Sequence, residues 1–157
     1  MKELTITIPV IEAGIDELPA RERGLVDAAR QATFRSYSPY SHFSVGAAIL
    51  LDNGEIVTGS NQENAAYPSS LCAERTACYY AHSRWPEAGF TAIAIAARGT
   101  DGKETAEPVS PCGACRQALL EYETLAGHDV RVILAGRDKV YILPSVRSTL
   151  PLAFSEF

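Results

Sequence analysis

The residues best suited to chemistry in this sequence are cysteines. Cys112-Gly-Ala-Cys115 is a C-x-x-C at the start of a helical stretch, a spacing that sets both sulfurs on one face of a first turn. Cys72 opens a second helical stretch upstream. Three thiolates from two helix starts suit a tetrahedral zinc with one position left open, the arrangement a hydrolytic zinc uses. Zinc held this way lowers the pKa of its water to about 7. Glu74 follows Cys72 closely enough to exchange a proton with that water without ligating the metal. Three thiolates on a divalent cation leave a net negative charge. Helix N-termini offset part of it, and Arg75 or Arg116 can hydrogen-bond a ligating sulfur, with Arg75 preferred.

Plainer readings compete. A lone C-x-x-C is commonly a structural zinc site or a redox pair, and a structural site needs a fourth ligand, for which Cys78 is available. Cys78 lies roughly 240° around an ideal helix from Cys72, so one metal cannot easily draw both, and a small buried apolar residue is its default reading. Glu74 by itself would be a solvated helix residue. Its place between Cys72 and Arg75, with Pro-Cys-x-x-Cys downstream, favours the chemical role.

The elements that must position these residues can be read from periodicity. Leu4, Ile6 and Ile8 predict a short strand over Met1–Val10, closed by Pro9. Asp16–Pro19 starts a helix that runs to about Arg35. Val45–Leu51 and Glu55–Ser60 form a hairpin about Asp52-Asn53-Gly54. A helix spans Cys72 to about Arg84, and the small apolar run Thr91–Ala97 reads as a strand covered on both faces. Ser110 as cap and Pro111 at the first helical position predict a helix through Glu123. Val130–Ala135 and Val140–Leu143 make a second strand pair, and Ser145–Leu150 adds a short terminal helix. The expected architecture is α/β, a three-layer α-β-α sandwich with a mixed sheet of roughly five strands. Residues 1–157 read as a single domain, with 1–20 an extension ahead of its core.

Composition narrows the partner. The chain has 157 residues, 46% of them hydrophobic and 21% charged, with a net charge of −5. Such a chain buries roughly 70% of its unfolded surface without disulfide staples, leaving the cysteines for other work. The acidic balance and the lack of a Lys/Arg run argue against a nucleic-acid polymer. Neither a signal peptide nor an apolar run of membrane-spanning length is expected, so the reading is a cytoplasmic protein with no membrane partner and reduced thiols. His42, His82 and His128 are given no chemistry.

Cys72-Ala-Glu-Arg75 and Ser110-Pro-Cys-Gly-Ala-Cys-Arg-Gln117 together resemble the zinc-dependent cytidine deaminases, specifically the small homotetrameric type acting on free nucleosides. Ser38-Pro-Tyr-Ser-His-Phe43, Asn61-Gln-Glu-Asn-Ala-Ala-Tyr67 and Leu150-Pro-Leu-Ala-Phe154 extend the likeness over most of the chain. The resemblance implies one zinc per subunit on Cys72, Cys112 and Cys115, with Glu74 as proton shuttle. It implies that Asn61 and Glu63 hold the ribose 3′-hydroxyl and that Phe43 packs on the nucleoside. The Ala73 carbonyl joins the groups around the reacting base, and Phe154 is a ring laid over the pyrimidine by a neighbouring subunit. Ala65 and Tyr67 are expected to reach an adjacent subunit's site. The implied reaction is hydrolytic deamination of cytidine and 2′-deoxycytidine in pyrimidine salvage, by a homotetramer with shared active sites. Two alternatives stand beside it: deamination of a related cytosine nucleoside such as blasticidin S, and an interaction module whose zinc is structural.

Overall fold

In the computed structural model, which describes residues 1–155, a six-stranded sheet runs in the order β1-β6-β5-β4-β2-β3. The strands are β1 (Ile11–Gly14), β2 (Ser44–Leu51), β3 (Ile56–Ser60), β4 (Phe90–Arg98), β5 (Arg131–Ala135) and β6 (Lys139–Leu143). Three helices cover the sheet: α1 (Ala20–Ala32), α2 (Ala73–Arg84) and α3 (Gly113–Ala126).

The layering follows from strand alternation. On β4, Ala92, Ala94 and Ala96 face one side and pack with Leu25, Val26 and Ala29 of α1. Ile93 and Ile95 face the other and pack with Ala77, Ala81, Leu119 and Leu120 of α2 and α3. Every one of these residues is buried, as a strand enclosed on both faces requires. The three-layer α-β-α sandwich therefore forms around β4.

Strand direction decides where a site can lie. β2 is antiparallel to both β3 and β4, so β3 and β4 run the same way, and β5 is parallel to β4. The chain leaves β3 toward α2 and leaves β4 toward α3. Both helices consequently begin beyond the same ends of the sheet, bringing their N-termini together.

Gly59 sets how closely α2 approaches. A Cβ at this position of β3 would lie 2.5 Å from the Ala73 carbonyl oxygen and 2.6 Å from the Ala77 nitrogen, both backbone atoms of α2. Gly46 plays the same part on the opposite face, where a Cβ would meet the Ala29 carbonyl oxygen of α1.

Three expectations are corrected. The sheet has six strands rather than five, because the N-terminal strand adds to it. That strand is Ile11–Gly14 and not Met1–Val10: β6 has five residues, four of which pair with β1, and Pro9 just before β1 has no N–H for a ladder. Met1–Val10 carries no regular structure and is exposed. The cap of α3 is Cys112, not Ser110, since Cys112 has extended backbone (φ −67, ψ 164) and the helix starts at Gly113. Smaller differences also appear. The first helix begins at Ala20 with Pro19 as its N-cap, and the terminal helix contracts to a 3₁₀ turn over Arg147–Thr149.

Replacing Gly59 by alanine forces β3 away from the first turn of α2. The expected cost is about 1–3 kcal/mol, the usual range for overpacking. Chemical denaturation of G59A beside the parent measures it, and G54A at the exposed hairpin turn, where a Cβ meets nothing within 4 Å, separates clash from backbone strain.

Candidate active site

Cys72 is the N-cap of α2 and Cys112 the N-cap of α3, both with extended backbone, and Cys115 lies one turn into α3. Their sulfurs converge. Cys72 Sγ is 3.8 Å from Cys112 Sγ, Cys112 Sγ is 3.5 Å from Cys115 Sγ, and all three lie within 4.8 Å of one another. Zn–S bonds of about 2.3 Å at tetrahedral angles put sulfurs about 3.8 Å apart, so the triangle fits zinc. Cys115 is buried, Cys72 half-buried and Cys112 exposed, which leaves one side of the triangle open. Among the described residues, these three form the group of Cys, His, Asp and Glu side chains close enough to share a metal. Cys78 is turned away, buried in the core with its thiol 3.6 Å from the Arg75 carbonyl oxygen, and burial pushes its pKa up to about 12. It offers no fourth thiolate.

The surrounding charges prepare the triangle for a cation. The Cys72 thiol is lowered to about 5, first by a hydrogen bond from Cys115 and then, against the cost of burial, by Arg75. Arg75 Nη2 stands 3.8 Å from Cys72 Sγ. Cys115 is raised, because it donates to Cys72 and because it is buried. Arg116 is engaged elsewhere: its Nε donates to the Pro111 carbonyl at 2.8 Å and its Nη1 to the Thr149 carbonyl at 3.0 Å. Glu74 is 4% exposed, and burial raises its carboxyl pKa above the usual range. A carboxyl tuned upward in this way suits proton transfer near neutral pH.

Beside Cys72 opens a cavity of about 580 Å³, lined by residues that include Tyr40, Asn61, Glu63, Tyr67, Leu71 and Arg75. Backbone bonds fix its floor: Gln62 and Leu71 exchange two, at 2.8 and 2.9 Å, and Glu63 N–H donates to the Tyr37 carbonyl. Asn61 and Glu63 are thereby held next to the Cys72 turn. Asn61 Oδ1 accepts from Ser36 Oγ at 2.6 Å and from Val45 N–H at 2.8 Å, while its Nδ2 donates to the Phe43 carbonyl at 2.9 Å. Glu63 Oε2 accepts from the Tyr40 and Ser41 amides. Hydrogen bonding, led by Ser41, lowers the Glu63 pKa and keeps it ionised.

A family model described as the cytidine and deoxycytidylate deaminase zinc-binding region matches residues 20–126. The chain belongs to that deaminase family. Zinc is the metal of the matched region, and Cys72, Cys112 and Cys115 are positioned to hold it. The cytidine deaminase of Halalkalibacterium halodurans is 40% identical over 131 residues, 83% of this chain and 92% of its own. That of Mycobacterium tuberculosis is 44% identical over 106 residues, 66% of this chain and 74% of its own. The crystal structure of cytidine deaminase from Burkholderia pseudomallei superposes with a TM-score of 0.72 at 38% identity, covering 83% of this chain and 97% of the other.

The remaining residues singled out from this deaminase sequence separate into two groups. Phe43 is half-buried in the loop tied to Asn61, and Ala73 is buried under Gly59. Ala65, Tyr67 and Phe154 are exposed, Tyr67 and Phe154 each by 71%. Phe154 lies near α3, where its carbonyl accepts from Gln117 Nε2 at 2.8 Å. Sequence reading missed the amides of Tyr40 and Ser41 and the backbone at His42. His42 has φ 55, a left-handed conformation uncommon outside glycine, in the loop that delivers those amides to Glu63. No side-chain pattern announces an amide cradle; the cluster of turn-forming residues from Ser36 to Ser41 was its only trace.

Removing Arg75 takes a cation from Cys72 while leaving the three thiolates in place. R75A is expected to weaken zinc retention by about 10- to 100-fold, with R75K recovering part of it. Competition with a chromophoric chelator reads this directly.

Proposed function

We propose that this protein deaminates free cytidine and 2′-deoxycytidine, consuming water and releasing ammonia and the corresponding uridine nucleoside. The observation that carries the reading is the buried carboxyl of Glu74, next to Cys72 in a thiolate triangle open on one side and adjoining the Asn61/Glu63 cavity. Bound zinc supplies Lewis-acid activation of the attacking water. Glu74 takes one proton from the water as its oxygen bonds to carbon 4 and delivers that proton to the ring nitrogen beside it; it then carries the remaining hydroxyl proton to the amine, so that the carbon–nitrogen bond breaks, ammonia leaves and the carbonyl of uridine forms.

Specificity for an intact nucleoside belongs to the loop. Asn61 retains one Nδ2 hydrogen, and Glu63 retains Oε1, beyond the bonds that hold them. Both are preorganised to read a ribose hydroxyl, and a ligand lacking that hydroxyl leaves them unpaired. In this reading Phe43 provides an apolar surface for the nucleoside, while the Ala73 carbonyl oxygen lies against Gly59 of β3.

Exposure supports assembly. Tyr37, Tyr40 and Tyr67 are large exposed rings, and Tyr40 meets Tyr67 edge-on at the cavity rim. In this reading they are covered in a homotetramer, where Ala65, Tyr67 and Phe154 serve neighbouring sites. No helix among the described residues is long and apolar enough to cross a membrane. We place the enzyme in the cytoplasm, as a single domain with residues 1–20 as an extension.

Loss of cytidine absorbance on adding the zinc-loaded protein tests the activity, with deoxycytidine, cytosine, adenosine and blasticidin S as parallel substrates. Turnover confined to blasticidin S moves the assignment to the antibiotic, and no turnover of any favours a structural zinc. E74Q is expected to keep zinc and bind nucleoside while losing about 10²–10⁴ in kcat. Near-normal turnover in E74Q sinks the proton-shuttle role.

A further inference from the structure

The segment before β1 lies outside the residues matched by the family model, which begin at Ala20. It is not idle chain. β1 anchors it at the sheet edge by pairing with β6, and Glu12 adds an ion pair to Lys139 at 3.3 Å. From that anchor the chain lays Ile8 and Val10 over a small cavity of about 170 Å³ that they line together with Pro111, Arg116, Tyr141 and Thr149. Ile8 is the least exposed large apolar side chain of this segment, at 40%, against 51% for Val10, 54% for Ile6 and 78% for Leu4.

Two residues of this cavity hold the start of α3. Arg116 donates to the carbonyls of Pro111 and Thr149, tying the turn before the helix to the 3₁₀ turn that ends the fold. Pro111 immediately precedes Cys112, and Arg116 immediately follows Cys115. The Arg116 bonds therefore fix the backbone on both sides of the two α3 zinc ligands. Water that reaches them competes for the same donors and acceptors, whereas apolar cover keeps them strong.

We propose that residues 1–14 form a strap whose Ile8 and Val10 shield the Arg116 clamp and thereby position Cys112 and Cys115 for zinc. Ile8 and Val10 are positioning residues, acting on the metal through Arg116 and Pro111. The proposal rests on the zinc assignment and not on the identity of the substrate.

The test follows zinc release from the loaded protein to a chromophoric chelator. Ile8→Ser combined with Val10→Ser is expected to release zinc about tenfold faster, the lower end of the effect of disturbing groups that support metal ligands. Leu4→Ser, outside the cavity, is expected to match the parent. Ile8→Ala, too mild to prevent folding, shifts release in the same direction as the double variant. Cobalt-substituted protein gives a second readout, because its visible bands report thiolate geometry and a mere loss of global stability leaves them unchanged. Altered bands in the Ile8 variants support the strap. Release and bands equal to the parent in both Ile8 variants overturn it, as does equal acceleration by Leu4→Ser. A parent protein that takes up no zinc overturns the metal assignment itself, an outcome visible before any variant is compared.

Discussion

The constraint on which the structure depends is the size of a sulfur triangle. A tetrahedral zinc tolerates neighbouring sulfurs only about 3.8 Å apart. Two of the cysteines sit at the N-caps of different helices, so the ends of α2 and α3 must meet within that spacing. The sheet makes this possible by running β3 and β4 in one direction, which delivers both helix starts to the same end of the strands. Gly59 then lets α2 sit down on β3 without a side chain between them. Moving either helix outward by the width of a methyl group would open the triangle.

The electrostatics follow from the same placement. Collecting thiolates in a partly buried corner is unfavourable unless positive charge is already there. Two helix N-termini and Arg75 supply it, and the Cys72 thiol is lowered against its burial by the hydrogen bond from Cys115 first and by Arg75 next. Glu74 meets the opposite environment two residues later, because the helix turns its carboxyl into the core while Cys72 stays at the rim. Neighbouring positions on one turn are thus driven in opposite directions, one toward a ready anion and the other toward a held proton.

The sequence disclosed the chemistry more completely than the fold's edges. Cys72 and the C-x-x-C were legible because metal ligation needs particular residue types at particular spacings, Glu74 because it stands between Cys72 and Arg75 at a helix start, and β4 because its central run Ala92–Ala97 carries no polar side chain. The N-terminal strand was misplaced for a different reason. Alternation in Leu4, Ile6 and Ile8 is a local signal, whereas pairing is decided by the length of β6 and by Pro9, and β6 lies at the far end of the chain. The α3 cap was misread because Ser110-Pro111 has the composition of a helix start. The turn before the helix is instead held by Arg116, a contact that only folding creates. The amides at Tyr40 and Ser41 were illegible in principle, since every residue carries one.

On the proposed reading, Asn61 and Glu63 make a polar loop selective without making it basic. Each uses part of its hydrogen-bonding capacity on the protein: Asn61 on Ser36, Val45 and Phe43, and Glu63 on two backbone amides. The part already used fixes where the remainder points, so in the proposed reaction a nucleoside meets groups whose ordering cost was met during folding. A flexible lysine or arginine would attract anions from a distance, yet would have to be ordered at every binding event. A small neutral nucleoside gains nothing from such attraction. An acidic chain with an immobilised amide and carboxylate beside its zinc is consequently the more economical solution, and the net charge of −5 and the geometry of the loop have one explanation.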